Sequence, residues 1–383
     1  MPLELLNIYN ARNIKELSFK PSMNFNIIYG VNGSGKTTIL ESIYFLLRAR
    51  IFRNNKYKSF INCNNDCCTI FSKFSSSNTD NSNSSCSFNL GISRSKDNLQ
   101  PLIHLNNSKV SSLSQISNLV ILGLITPESF NLLDSGPGIR RKFLDWGVFH
   151  VEHQFIHYWK SYRKILNNRN NLLKIYKNKY KSLDSVPKNL LNNLNCWTPQ
   201  LIDLNEKLNS LRSIQLNNII ENFRLFLGKF CDDLNNNISI EYYQGWTSNI
   251  SFEEYLNTKL ENDISSGYTR YGTHRSDILI KYKRMSANDI LSRGQKKIII
   301  ICLILAQFYF LKKRNKLNNH SLLLLDDMDS ELDQNNLNIL LTILKDLDCQ
   351  ILMTTTDKVR YINIKENCEL FHVEQGGIKD INI

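Results

Sequence analysis

One octapeptide constrains this chain of 383 residues more than any other feature. It is Gly30-Val31-Asn32-Gly33-Ser34-Gly35-Lys36-Thr37, which fits the phosphate-binding pattern Gly-x-x-x-x-Gly-Lys-[Ser/Thr]. Backbone N–H groups can wrap phosphate oxygens only where side chains leave the approach open, so glycines recur at 30, 33 and 35. In such a loop Lys36 is expected to reach the β- and γ-phosphates as a point charge. Thr37 is expected to ligand Mg2+, with Thr38 beside it in the nucleotide site. The apolar run Phe25–Tyr29 reads as a strand leading in, and Thr38–Ile43 opens a helix whose N-terminus faces the anion. A strand–loop–helix unit of this kind implies an α/β fold.

Length and composition bound the rest. The chain is long for one core and comfortable for two lobes. The longest apolar stretch, Ile298 to Leu311, is interrupted by Gln307 and falls short of the ~18 residues of a membrane span, so a buried helix is expected there. Met1-Pro2-Leu3-Glu4 lacks the basic-then-apolar layout of a secretory signal. The expectation is a cytoplasmic protein without membrane association. Nine cysteines are scattered along the chain; Cys63, Cys67 and Cys68 lie close together, but no second Cys or His pair completes a zinc set, so reduced thiols are expected. The net charge of +12 suits a polyanionic partner. It is equally what A/T-biased codon usage would give, since Asn, Lys and Ile are all abundant.

Texture divides the chain. Leu3–Leu6 and Leu17–Phe19 read as strands, as do Phe88–Ile92 and Leu102–Leu105, with the Ser/Asn-rich tract Ser75–Ser85 as a loop. From about Arg140 to about Leu260 helical spacing dominates, as in Phe155, Tyr158, Tyr162, Ile165 and then Leu201, Leu204, Leu208, Leu211. Pro187 and Pro199 break this region, and no heptad is sustained, so a compact helical lobe is expected and not a long coiled coil. The expected division is 1–139, 140–267 and 268–383.

A second constellation lies near the other end. Leu322–Leu325 followed by Asp326 and Asp327 has the layout of a Walker B element: a buried parallel strand with acids at its carboxyl end. Asp326 is expected to hold Mg2+ and Asp327 to orient or deprotonate the attacking water, with Lys36 as its catalytic partner. Leu291-Ser292-Arg293-Gly294-Gln295 matches the signature of ATP-binding-cassette ATPases, with Arg293 in place of a glycine. A hydroxyl and free N–H groups at a helix start make an anion site. Ser330-Glu331-Leu332-Asp333 resembles the D-loop of the same ATPases. In such heads Ser292, Arg293, Gly294 and Gln295 act in trans, completing the ATP site of a second copy. Met353-Thr354-Thr355-Thr356 stands where transporter ATPases carry a switch histidine.

Beyond these motifs the chain resembles the RecF family of bacterial DNA replication and repair proteins over nearly its whole length. The resemblance rests on Arg12-Asn13, on Leu40–Tyr44 and Phe52-Arg53, and on Thr126-Pro127-Glu128. The block Arg140-Arg141-Lys142-Phe143-Leu144-Asp145 adds to it, as does Gly272-Thr273-His274-Arg275-Ser276-Asp277. Ala11, Thr273 and Ser276 depart from the family pattern. The resemblance implies an ATP-binding-cassette type ATPase head built from both chain ends, with an inserted helical lobe. Arg12 and Asn13 join the residues that bind ATP. It also implies an ATP-dependent homodimer that clamps double-stranded DNA and single-strand/duplex junctions with slow turnover, and a nucleoid-associated location. Its partners would be RecO and RecR, and indirectly RecA, in recombinational gap repair and the SOS response. Duplex DNA is held mainly through phosphates; candidates are Arg140, Arg141 and Lys142, with Lys174, Lys177, Lys179 and Lys181 as a weaker run. Arg140 and Arg141 could instead serve internal salt bridges. A coiled-coil chromosome organiser, a transporter ATPase and a small-molecule P-loop kinase fit these features less well.

Overall fold

The computed structural model describes residues 2–53, 57–75, 87–98, 100–110, 112–117, 119–180, 185–314, 321–361 and 368–379. They form two compact units, Met1–Asn131 with Arg293–Ile383, and Leu132–Ser292.

The first unit joins both chain ends in one six-stranded sheet, ordered Gly377–Lys379, Cys368–Glu374, Phe25–Tyr29, Gln350–Thr355, Ser321–Leu325, Ile121–Ile125. All pairings are parallel except that of the edge strand Gly377–Lys379. The strands Phe25–Tyr29 and Gln350–Thr355 are buried at every residue, as suits central parallel strands, and their polar members Asn26 and Gln350 spend their side chains on backbone hydrogen bonds. A second, antiparallel sheet runs Ile14–Phe19, Leu3–Ala11, Cys67–Phe74, Phe88–Ser95, Leu102–Leu105, Ser108–Lys109. The helix Lys36–Arg48 shares one core with both sheets, through Ile39, Leu40, Ile43 and Leu46 against Leu6, Ile8, Ile70, Leu324 and Leu352. Most of the Ser/Asn-rich tract lies outside the described residues; the strands flanking it pair with Phe74 opposite Phe88. Cys67 is exposed and Cys68 buried, so neighbours on one strand face opposite ways, and no metal-binding group of side chains occurs among the described residues.

The helix Arg293–Arg314 is long and apolar enough to cross a membrane, with an 18-residue window of mean hydropathy 1.5, although 61% of that window is buried inside the structure. Ile298 to Leu303 are all buried, as expected of a core helix.

In the second unit the helices Pro137–Val151, Phe155–Lys179 and Thr198–Phe230 pack around Tyr162, Ile165, Leu201, Leu204 and Leu208. Pro199 falls in the first turn of its helix, where a missing N–H costs nothing. The expected all-helical stretch is interrupted by the strand Ile238–Tyr243, which pairs antiparallel with Asp277–Tyr282. Ile-Ser-Ile-Glu-Tyr-Tyr combines alternation with β-branched and aromatic residues, a strand signal that the long helical pattern before it obscured. That pairing draws 268–292 into this unit, so its limits are 132 and 292 where the sequence suggested 140 and 267.

Candidate nucleotide-binding site

The loop between Tyr29 and the helix at Lys36 owes its shape to glycine. Gly30 has φ +157°, and a Cβ there would stand 2.3 Å from the carbonyl oxygen of Val373 on the neighbouring strand. Gly35 caps the helix at φ +117°, a conformation L side chains rarely adopt. The helix begins at Lys36, two residues earlier than its apolar pattern indicates. Lys36 curls back over the loop and its Nζ donates to the carbonyls of Gly30 at 2.8 Å and Val31 at 3.0 Å. Burial pushes its pKa down, against the opposing fields of Asp327, Asp326 and Asp329. Asn13 braces the loop from outside: its Nδ2 donates to the Gly33 carbonyl, and its Oδ1 accepts from the Thr38 hydroxyl. Val31 is 71% exposed at the loop tip, whereas Ser34 is buried with its hydroxyl unbonded.

Thr37 Oγ1 donates to Asp326 Oδ1 at 2.9 Å, joining the P-loop to the end of the strand Ser321–Leu325. Thr354 donates to the same oxygen at 2.7 Å and accepts the N–H of Asp327 at 3.0 Å. Asp326 is only 1% exposed; burial raises its pKa, and the two threonine hydroxyls oppose that rise. Asp327 sits at φ +58°, which turns the chain sharply after the strand. A cavity of about 350 Å3 opens here, with Arg12, Asn13, Asn32, Lys36, Thr37 and Asp327 in its wall.

Three features of this site escaped the sequence. Arg53 lines the cavity, with its guanidinium 3.8 Å from Asp326. Arg12 pairs with the buried Glu41 at 2.5 Å, so its charge is partly spent beside the cavity it lines. Asp329 accepts from Thr355 Oγ1 at 2.8 Å and from the Thr356 N–H at 3.3 Å, tying the turn after Asp327 to the strand Gln350–Thr355. Only the acidic spelling Asp326-Asp327-Met328-Asp329 hinted at this.

The signature segment leads into the helix that starts at Arg293; Ser292, Arg293 and Gly294 are exposed and Gln295 is half-buried. In the D-loop stretch Ser330 donates to the Asp327 carbonyl, Glu331 pairs with Lys297 at 2.5 Å, and Asp333 caps the helix Gln334–Lys345.

The candidate DNA residues divide. Arg140 is spent internally: it holds Asp277 through Nε at 2.7 Å and Nη2 at 2.9 Å, while Nη1 donates to the carbonyls of Leu132, Leu133 and Ser135. This is the internal salt bridge that the sequence left open. Arg141 gives one bond, to the Ser276 carbonyl, and Lys142 is exposed. Lys174, Lys177 and Lys179 are exposed on the helix Phe155–Lys179, and Lys181 lies outside the described residues. The two sequence blocks that carry the family resemblance thus lock together. Asp145 binds Arg212 bidentately at 2.7 and 3.0 Å, and Arg212 also donates to the Thr273 carbonyl and to the hydroxyls of Thr273 and Ser276. Two of the departures, Thr273 and Ser276, are therefore built into this buried network. His274 completes it: Nδ1 accepts from Tyr162 and Nε2 donates to the Thr269 carbonyl. Burial pushes its pKa down to about 4, so it is neutral at physiological pH.

A family model described as the RecF/RecN/SMC N terminal domain matches residues 2–379. The solved structure of the recombination mediator protein RecF-ATP in the RecFOR pathway superposes with a TM-score of 0.78 at 24% identity, covering 98% of this chain and 96% of that one. An Smc head bound to the C-winged helix domain of ScpA gives 0.54 at 15% identity, covering 99% and 96%. These likenesses establish the fold class, a head domain of the RecF and SMC kind. A DNA replication and repair protein RecF from Shewanella baltica is 32% identical over 380 residues, 99% of each chain. The chain belongs to the RecF family of DNA replication and repair proteins.

Proposed function

We propose that this protein is an ATP-switched clamp that holds DNA during repair. The observation that carries the reading is the hydrogen bond between Thr37 and Asp326, 289 residues apart, beside a cavity walled by Lys36 and Asp327. A hydroxyl and a carboxylate are hard oxygen donors and suit Mg2+, which would neutralise charge between the β- and γ-phosphates. Gly30 to Thr38 wrap the phosphates, Lys36 holds them, and Asn13 keeps the loop in shape. Asp327 orients the attacking water or takes its proton. Ser292 to Gln295 complete the site of a second copy, so ATP closes a homodimer and hydrolysis opens it. The RecF structure with ATP supports ATP as the nucleotide, and its RecFOR pathway supports RecO and RecR as partners, with RecA reached through them. With Arg140 spent, Arg141 and Lys142 are the better phosphate contacts, and the +12 charge is consistent with duplex binding.

Light scattering with ATP and Mg2+ tests the reading. Asp327→Asn is expected to trap a dimer, Lys36→Met to lose nucleotide and dimer together, and Ser292→Arg to bind ATP as a monomer. A chain that stays monomeric in Asp327→Asn at saturating ATP defeats the switch. Equal loss of ATP binding in Lys36→Met and Ser292→Arg defeats the division of labour between loop and signature.

A further inference from the structure

Two threonines at the end of the strand Gln350–Thr355 line the nucleotide cavity, Thr354 and Thr356. Thr354 has its task, since it bonds Asp326 and the Asp327 N–H. Thr356 stands exposed just beyond the strand, and the chemistry described so far does not use it. Its hydroxyl meets Asp329, which is 8% exposed. Asp329 Oδ2 accepts from Thr356 Oγ1 at 3.3 Å, from the Thr356 N–H at 3.3 Å and from Thr355 Oγ1 at 2.8 Å. Arg360 Nη1 donates to the Asp329 carbonyl, so side chain and main chain are both fixed. The other carboxyl oxygen, Oδ1, is buried without a hydrogen-bond partner among the described residues. Burying a carboxyl in this state is unfavourable, and the Thr355 hydroxyl has the Asp357 carbonyl at 3.1 Å as a second acceptor. Tying the turn to the strand therefore does not account for an acid at 329.

The direction of the Thr356 proton does account for it. A carboxylate only accepts, so the hydroxyl must point its single proton at Asp329. Its oxygen is left with lone pairs toward the cavity. Phosphate oxygens are acceptors too, and a hydroxyl whose proton is committed cannot bond them. A water molecule is the complementary partner, because it has protons to give. We propose that Asp329 is a positioning residue that turns the Thr356 hydroxyl into an acceptor for the hydrolytic water. The role rests on the proposed ATP hydrolysis and deepens the part given there to Asp327. Asp327 and Thr356, both in the cavity wall, each accept one proton of the water, which leaves a lone pair to aim at the γ-phosphorus. Thr356 takes no proton and forms no bond to phosphorus; it only orients.

The test compares full-length proteins by affinity for a fluorescent ATP analogue and by phosphate release at saturating ATP and Mg2+. Thr356→Val, at an exposed position, should bind the analogue as wild type does. Its turnover should fall roughly tenfold, as for one hydrogen bond made in the transition state. Thr356→Ser should restore turnover. Asp329→Leu removes the acceptor of the Thr356 proton and leaves the Thr355 hydroxyl its bond to the Asp357 carbonyl. It should show the same fall, with analogue binding no weaker than wild type. Both residues act through one hydroxyl, so the double variant should be no slower than Thr356→Val alone. Losses that multiply in the double variant, or weaker analogue binding in Asp329→Leu, would make Asp329 a plain tie of its turn and overturn the proposal. Wild-type turnover in Thr356→Val overturns it while hydrolysis still stands. Weaker binding with unchanged turnover in Thr356→Val would show the hydroxyl donating to phosphate and overturn it likewise. A wild-type chain that binds the analogue and releases no phosphate removes the hydrolysis reading and the positioning role with it.

Discussion

Thr354→Val isolates the role of one hydroxyl beside Asp326, the residue proposed to hold Mg2+. The substitution keeps the shape of the side chain and removes two bonds, one to Asp326 at 2.7 Å and one from the Asp327 N–H at 3.0 Å. A hydrogen bond to a charged group contributes about 1.5–3 kcal/mol. Asp326 is 1% exposed, so water cannot take the place of the lost donor. Thr37 still donates to the same oxygen at 2.9 Å, which argues for the lower end, about 1.5 kcal/mol or roughly tenfold in Mg2+ affinity. The sign with pH follows from the same contacts. Burial already holds the Asp326 carboxyl above its usual range, and the Thr354 and Thr37 hydroxyls pull it back. Removing Thr354 moves it further up, and metal binds only the deprotonated carboxylate. The deficit should therefore grow as pH falls and shrink as pH rises. Titrating Mg2+ against binding of a fluorescent ATP analogue, at one mildly acidic and one mildly alkaline pH, measures both effects. The reasoning is refuted if Thr354→Val keeps the wild-type Mg2+ midpoint at both pH values while Asp326→Asn shifts it.

Further expectations follow from the packing. Gly30→Ala should abolish ATP binding, since its Cβ would meet a strand carbonyl at 2.3 Å that cannot yield; equilibrium dialysis with wild-type affinity would contradict this. Arg212→Met breaks a buried pair and strands the hydroxyls of Thr273 and Ser276, at a cost of about 3–5 kcal/mol. Because Asp145 is 18% exposed, the lower end applies, and thermal unfolding should show the second unit melting at least ~6 °C lower. Thr273→Ala should cost about 1 kcal/mol in the same assay; a stability equal to wild type would mean that its hydroxyl adds nothing to the network.

The chemical elements of the head were legible because each is local. Gly30 to Thr37 and Leu322 to Asp327 are short runs whose residue types predict the loop, helix start and strand end that the structure brings together; Leu291 to Gln295 leads into a helix, and its part in a second copy's site is a proposal. The packing partners were not legible. Arg140 finds Asp277 across 137 positions and Arg212 finds Asp145 across 67, and no periodicity encodes either meeting. For the same reason the triple Arg140-Arg141-Lys142 read as one basic patch, although one helix turns its members to different tasks. Thr273 and Ser276 looked like departures from a pattern until Arg212 supplied their partner. Strand Ile238–Tyr243 was lost for a different reason: half its residues are intermediate in burial, so its alternation is shallow beside the strong helical signal of Thr198–Phe230.

The strand that bears the P-loop lies between Gln350–Thr355 and Cys368–Glu374, and the Gln350 side chain bonds both the N–H and the carbonyl of Leu3. A ribosome delivers residues 3–37 first and their sheet neighbours last. Through almost the whole of translation the loop therefore hangs from a strand with both edges open, a state prone to mispairing. The second unit, contiguous in sequence, can fold meanwhile. ATP-binding ability should then appear abruptly, only after the final strands emerge, and a chain cut short before residue 350 should carry an intact P-loop sequence with no nucleotide site.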